Sequence, residues 1–512
     1  MKLDLAAAAV LAMLAITLAI KATVFSRVQH RRTYWRIKLR LHPGPGFASI
    51  AELLWRWSRL AAVRHGQRVR PDMPWLARAT YPATWYAWRL GRGQWFKRVF
   101  VPAEHQRVII APPRMAKTGA LAEQILTHQG ACVTFSSRVD LHDLTAGTRA
   151  QLGPLKVFNP FGVGDLPSNL YWDIIAGCED PDTAFLRAAA LIGDVAPGDM
   201  AFWLEKSSVA LAMLMHLAAL QGYDMSAVYG WANKFGQDTV LAATRDPRVS
   251  RELAASCMEI FAESKSADSI RMTMNRSLGW VTIPQLKAMV TRPQAAPFDA
   301  AAFAGSRGTL YMIMREGSTS VAAPLFRALT DHIHRATILA GSRTRWRKLS
   351  PGVFFALDEV ANIGVPALAS KLADSAGYGA FFTIVIHSMA QLRNAYGADQ
   401  ADAIWSCCGC KMILPGVDDA DTLEHLATLC GTVTEGDARL PVIAPDSIRM
   451  LPDSRALVLL VNRPPVTVKF RVPWRRLSYR LGRLPKAPQL PAPADDVIPA
   501  ELPQEELTNA AA

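Results

Sequence analysis

The chain has 512 residues, room for two to four domains of ordinary size. Half of them are hydrophobic and a fifth are charged, which excludes a wholly disordered chain and a many-span membrane protein. The net charge of +14 resides between Ser26 and Phe100, where 16 Lys/Arg face only Glu52 and Asp72. One basic module therefore faces an anionic surface, while a near-neutral body does something else.

Leu5 to Ile20 carries no charge, and the apolar stretch extends to Phe25 if Lys21 reaches back to the interface. At about 1.5 Å per residue this stretch is long enough to cross a hydrocarbon core of about 30 Å. Residues 1–25 are thus expected to be a transmembrane anchor. A cleaved signal peptide is the rival reading, weakened by Asp4 in the leading region and by the lack of a small-x-small cleavage site. Arg27, Arg31, Arg32, Arg36, Lys38 and Arg40 follow, which places the bulk of the chain in the cytoplasm of a single-pass inner-membrane protein.

Residues 26–104 form a basic stem with seven of the fourteen tryptophans: Trp35, Trp55, Trp57, Trp75, Trp85, Trp88 and Trp95. Rings and arginines together suit either single-stranded nucleic acid or an anionic lipid surface. Adjacency to the anchor favours lipid. His42 to Gly46 marks a break, and Ala48 to Val63 reads as one helix.

The strand-like run Arg107 to Ala111 leads into Pro112-Pro113-Arg114-Met115-Ala116-Lys117-Thr118, then a helical stretch Gly119 to His128 and a strand Ala131 to Phe135. Strand, tight loop, Lys-Thr, helix, strand is the setting of a P-loop. Backbone N–H groups there cradle phosphate, the lysine reaches the β/γ-phosphates, and the hydroxyl holds Mg²⁺. Both glycines of the strict pattern are alanine, Ala111 and Ala116. Val353 to Leu357 is a second apolar strand, delivering Asp358 and Glu359 at its carboxyl end. The first acid would orient the Mg²⁺ shell and the second would polarise the attacking water. A third strand, Phe382 to Ile386, ends at His387, placed to sense a γ-phosphate or to remain an ordinary polar residue. Further strands are expected at Leu310–Met314, Lys411–Leu414 and Ala456–Val461. Together they predict an α/β fold, a P-loop core with a large parallel sheet.

Residues 178–300 have helical periodicity, including Asp182–Ile192, Ala201–Gln221 and Arg251–Phe261, and read as an all-α insertion. It splits the nucleotide-binding domain into 105–177 and 301–480. The tail 487–512, rich in Pro and Ala with Asp495, Asp496, Glu501, Glu505 and Glu506, lacks the apolar residues for a core and reads as disordered. Seven cysteines, an odd number, make no disulfide framework and fit a reducing compartment. Cys407, Cys408 and Cys410 lack the second pair or histidine of a zinc site and read as part of a buried strand.

The order of these motifs resembles the TraG/TraD-type coupling proteins of type IV secretion and conjugation, notably their actinobacterial branch. The resemblance rests on Ala111 to Thr118, Thr134 to Leu141, Trp172 to Asp182, Leu357-Asp-Glu-Val-Ala-Asn-Ile363, Ala376 to Gly379, His387 to Leu392 and Asp418 to Leu423. It implies a RecA-like ATPase core, a homo-hexamer, and partners in relaxase-bound single-stranded DNA, the relaxase and the secretion channel. ATP would be held by Pro113, Arg114, Met115, Ala116, Lys117, Thr118 and Gly119, and Mg²⁺ by Thr118 and Asp358; Glu359 and His387 would be catalytic. The sequence departs from the family at the two alanines, at His387 in place of glutamine, and at Ala376, where relatives carry a trans-acting arginine. Arg315 and Arg393 are the candidate replacements. Two other functions remain open, a non-hydrolysing membrane receptor for relaxase or effector and an FtsK-like DNA translocase.

Overall fold

The structure is a computed structural model that describes residues 45–93, 97–193, 200–260, 266–291, 296–315, 317, 319–435, 437–476, 479, 485 and 488. The expected anchor 1–25, the juxtamembrane arginines with Trp35, Trp95 and all of the tail except position 488 lie outside them. Among the described residues, no helix is long and apolar enough to cross a membrane.

Eleven strands form one sheet: β1 (Ala87–Arg92), β2 (Arg98–Pro102), β3 (Arg107–Ile110), β4 (Cys132–Ser136), β5 (Leu155–Phe158), β6 (Thr309–Ile313), β7 (Val353–Leu357), β8 (Ala380–Ile386), β9 (Cys410–Ile413), β12 (Arg455–Leu460) and β13 (Arg463–Phe470). Strands β10 (Thr432–Glu435) and β11 (Ala438–Pro441) form a separate ribbon. The order across the large sheet is β2-β1-β13-β12-β9-β3-β8-β7-β4-β6-β5. From β9 to β5 every pair is parallel; from β9 to β2 every pair is antiparallel.

The parallel strands are mostly apolar because both faces are covered. Every residue of β7 and β8 is buried. Alternation sends Val353, Phe355 and Leu357 into one core and Phe354 and Ala356 into the other. The first core is shared with helices from 181 to 290. There Asp180 caps Pro181–Ile192 and Asp224 caps Met225–Asn233, and Ala210 to Met215 of Met200–Gln221 are wholly buried. The described part of 178–300 contains no strand.

The second core draws heavily on the stem, which differs from the sequence reading. Strands β1 and β2 belong to the sheet, and Trp57 and Trp88 are 0% and 2% exposed. Trp88 lies 4.6 Å from the Phe354 ring, and the Arg107 guanidinium sits 4.2 Å over its face. These two tryptophans therefore cover the sheet instead of meeting lipid. The single helix expected over Ala48–Val63 is two, Ile50–Arg56 and Arg59–Val69. The break falls at Trp57-Ser58, because the Ser58 hydroxyl accepts from the N–H groups of Leu60 and Ala61 and starts a new helix. Of the three clustered cysteines expected in a buried strand only Cys410 is in one, opening β9; Cys407 ends the helix Ala398–Cys407 and Cys408 is its C-cap. Cys408 and Cys410 are buried, which pushes both thiols up, Cys410 to about 11.

Candidate nucleotide-binding site

Strands β3, β8 and β7 are adjacent and parallel, so their carboxyl ends open on one edge. Ile110 pairs with Ile386 and Leu357 with Ile384, so β8 runs two residues past β7 and sets His387 between the two loops. Ligands of open α/β sheets bind at this kind of edge.

After β3 the loop 111–116 turns into the helix Lys117–Ile125. Arg114 and Ala116 have positive φ, +66° and +59°. Ala116 is the N-cap of that helix in the left-handed region, and no side chain caps the helix. Its first N–H groups are consequently available to an anion, with the helix dipole favouring negative charge. Ala111 is not among the left-handed residues; it continues the β3 ladder, donating to the Ile386 carbonyl at 3.0 Å. Only one of the two missing glycines therefore carries a conformational cost. Gly119 is required for a different reason. A Cβ there would lie 2.3 Å from Trp474 Cη2 and 2.8 Å from Val472 Cγ1, since the segment after β13 closes over this helix.

The expected polar residues converge. Lys117 Nζ donates to Glu359 Oε1 at 3.0 Å, lies 3.0 Å from His387 Nε2 and 3.7 Å from Asp358 Oδ1. The Thr118 hydroxyl donates to Asp358 Oδ2 at 3.3 Å. His387 Nδ1 donates to the Ala111 carbonyl at 3.3 Å. Its Nε2, 3.5 Å from Glu359 Oε1, accepts from the ammonium in the neutral ring and donates to the carboxylate when protonated.

The two carboxyls are tuned apart. Burial raises Asp358 above the usual carboxylate range, and its Oδ1 makes no hydrogen bond among the described residues. His387 first, then the Lys117 ammonium and the Ser137 hydroxyl, hold Glu359 down at about 2 against its partial burial. Glu359 itself has φ +62°, a left-handed backbone that aims its carboxylate back at the lysine.

Three supporting residues had no role in the sequence reading. Ser137, just past β4, donates to Glu359 Oε2 at 3.2 Å, and Asn362 Nδ2 donates to the same oxygen at 3.1 Å. Gln391 accepts from the His387 N–H at 3.1 Å. All three fall inside motif blocks noted from the sequence, but their partners come from other strands or from one helical turn onward. The candidate arginines sit elsewhere: Arg393 pairs with Asp402 at 3.4 Å, and Arg315 lies over the Phe161 ring.

Residues 352–439, from β7 through Asp358, Glu359 and His387 to the β10–β11 ribbon, match the family described as the TraM recognition site of TraD and TraG. The chain is 22% identical over 438 residues to protein VirD4 of Rhizobium rhizogenes, covering 77% of this chain and 63% of that one. Against the conjugal transfer protein TraG of Agrobacterium fabrum it is 24% identical over 190 residues, 32% of this chain and 29% of the relative.

In sequence the chain is similar to the TraG/TraD-type coupling proteins.

The chain spans less than two thirds of the length of the VirD4 proteins it matches. In fold it is similar to the bacterial conjugative coupling protein TrwB, with a TM-score of 0.59 at 18% identity over 75% of this chain and 88% of that one. A second TrwB structure, in complex with ADP and Mg²⁺, covers 73% of this chain and 87% of its own at 19% identity, with a TM-score of 0.58.

Proposed function

We propose that this chain is the membrane-anchored coupling ATPase of a type IV secretion or conjugation system. In this reading it recruits relaxase-bound single-stranded DNA, or a protein substrate, and drives it into the secretion channel. The observation that carries the reading is the convergence of Lys117, Thr118, Asp358, Glu359 and His387 beside an uncapped helix N-terminus.

The residues suit MgATP. The loop Pro113 to Gly119 offers backbone N–H groups to phosphate, and the Lys117 ammonium can exchange its carboxylate partners for phosphate oxygens. Thr118 and the under-bonded Asp358 would hold Mg²⁺, which when bound neutralises charge on the β- and γ-phosphates. Glu359, kept ionised by its neighbours, can accept a hydrogen bond from a water and orient it. His387, between both loops, is placed to report occupancy to the helix Met389–Tyr396, whose Gln391 already holds its backbone N–H. ADP and Mg²⁺ in the TrwB complex support the same cofactors here. The domain plan of this proposal is anchor 1–25, stem 26–104, nucleotide-binding domain 105–177 with 301–480, all-α domain 178–300 and tail 487–512, with β1 and β2 of the stem joining the sheet of the nucleotide-binding domain and six copies forming a ring at the inner membrane.

The test is ATP turnover by the full chain in detergent, with and without single-stranded DNA, beside Lys117→Ala and Glu359→Gln. Turnover stimulated by DNA and lost in both variants is the expected result. Nucleotide binding without turnover above the variants would replace the motor with a non-hydrolysing receptor.

A further inference from the structure

A second cavity, of about 650 Å³, shares no residue with the nucleotide site. Five arginines line it, Arg59, Arg89, Arg98, Arg471 and Arg476, against a single acid, Glu123. That acid is already engaged. Arg476 Nε donates to Glu123 Oε2 at 3.0 Å, and Arg471 lies 3.9 Å from the other oxygen. Arg59 is turned to the carbonyls of Ala79, Thr80 and Tyr81. The side chains of Arg89 and Arg98 are left with no hydrogen bond or ion pair among the described residues, and the Nε of Arg89 is shut off from water. Burial, with Arg471 and Arg98 adding to it, pushes the Arg89 guanidinium down to about 10. Like charges gathered in a half-enclosed space favour a multivalent anion.

The surroundings of the cavity choose among anions. The segments that build its rim leave large apolar side chains in the open: Leu60 at 53%, Trp75 at 62%, Leu76 at 68% and Tyr81 at 47%. Leu60 follows Arg59, Tyr81 joins Thr80 to Pro82, and Trp75 and Leu76 open the helix Trp75–Thr80, whose last residue lines the cavity. Exposed Trp, Tyr and Leu beside unpaired arginines match the chemistry of a bilayer interface, where rings lie at headgroup depth and guanidinium groups meet phosphate. In the sequence the rim residues Arg59, Trp75 and Tyr81 follow the uncharged run Leu5–Ile20. A polynucleotide would satisfy the charge but would leave the exposed Leu60 and Leu76 unmatched.

We propose that this cavity is a headgroup site for an anionic phospholipid, its phosphate held by Arg89 and Arg98 and its acyl region laid against Trp75, Leu76 and Tyr81. The site stands apart from nucleotide chemistry, so it can fail while the ATPase reading holds, and the reverse.

The experiment titrates the full chain in detergent with dioctanoyl phosphatidylglycerol, dioctanoyl phosphatidylcholine, inorganic phosphate and a single-stranded oligonucleotide. Phosphatidylglycerol should bind tightest, and its binding should weaken as salt rises. Removing two charges with Arg89→Gln and Arg98→Gln should cost about thirtyfold, and Arg98→Gln alone, at an exposed position, about fivefold. The pair Arg64→Gln and Arg68→Gln, which removes equal charge outside the cavity, should cost less than about twofold. Trp75→Ser with Leu76→Ser should weaken phosphatidylglycerol and leave inorganic phosphate unchanged. Four results would each overturn the proposal: phosphatidylcholine equal to phosphatidylglycerol, inorganic phosphate equal to phosphatidylglycerol, an oligonucleotide that binds tighter and shows the same arginine dependence, or Arg98→Gln without effect.

Discussion

Replacing each of the two P-loop alanines by glycine should have opposite effects, although both changes restore the strict motif. Ala116 has φ +59° and ψ +26°, a left-handed conformation that costs a residue with a Cβ about 1–2 kcal/mol. Ala116→Gly removes that cost from the folded state and adds about 0.5–1 kcal/mol of chain freedom to the unfolded one. The expected net effect is a stabilisation of about 0–1.5 kcal/mol. Ala111 has no such strain. It is fully buried, donates to Ile386 in the sheet ladder, and its methyl belongs to the second core. Ala111→Gly therefore loses about 0.8 kcal/mol for the methyl and about 0.5–1 kcal/mol for backbone freedom. The two variants should differ by about 2 kcal/mol, read as separate denaturant midpoints by tryptophan fluorescence on the same preparation. If Ala111→Gly proves as stable as Ala116→Gly, the assignment of strain to position 116 alone is wrong.

Other outcomes follow from the same contacts. Gly119→Ala should destabilise by about 1–3 kcal/mol, because its Cβ would sit 2.3 Å from the Trp474 ring, and adding Trp474→Leu should recover part of the loss in thermal unfolding. Ser137→Ala removes the 3.2 Å bond to Glu359 and should lower kcat for ATP about fivefold with KM little changed. Lys371→Met leaves the buried Asp331 carboxylate, now 2.9 Å from that ammonium, with Arg335 alone, and should cost about 3 kcal/mol at neutral pH. Asp331 is held below its ordinary 3.8 by Lys371 and Arg335, which outweigh the opposing effect of burial. Its contribution is thus present above about 3.8 and lost as pH falls through the lower folded value, so the cost of Lys371→Met should shrink below pH 4 in acid-unfolding curves.

The nucleotide site could be read from the sequence because each of its parts is a short local pattern. A parallel strand covered on both faces is a continuous apolar run, and the residues just beyond it must lie at the sheet edge; β3, β7 and β8 announce Lys117, Asp358, Glu359 and His387 in this way. Capping residues such as Asp180 and Asp224 likewise mark helix starts locally. The antiparallel edge was far less visible. Strand β13 carries Pro464 and Pro465 after its first residue, and β1 and β2 lie in the basic stem, with Gly91 inside β1, so periodicity alone does not mark these three as strands.

What the sequence determined by itself is the set of chemical groups and their order, since these depend on neighbours within a few residues. Which groups meet was decided only by the tertiary structure. Lys117 reaches His387 across 270 residues because β8 is inserted between the strands carrying the two loops. Trp57 and Trp88 became core and Trp55 and Trp75 surface, though composition treats all four alike. The physical reason is common to both cases: burial and pairing depend on sheet order and on what covers each face. Long-range strand pairing sets these, and no local pattern encodes them.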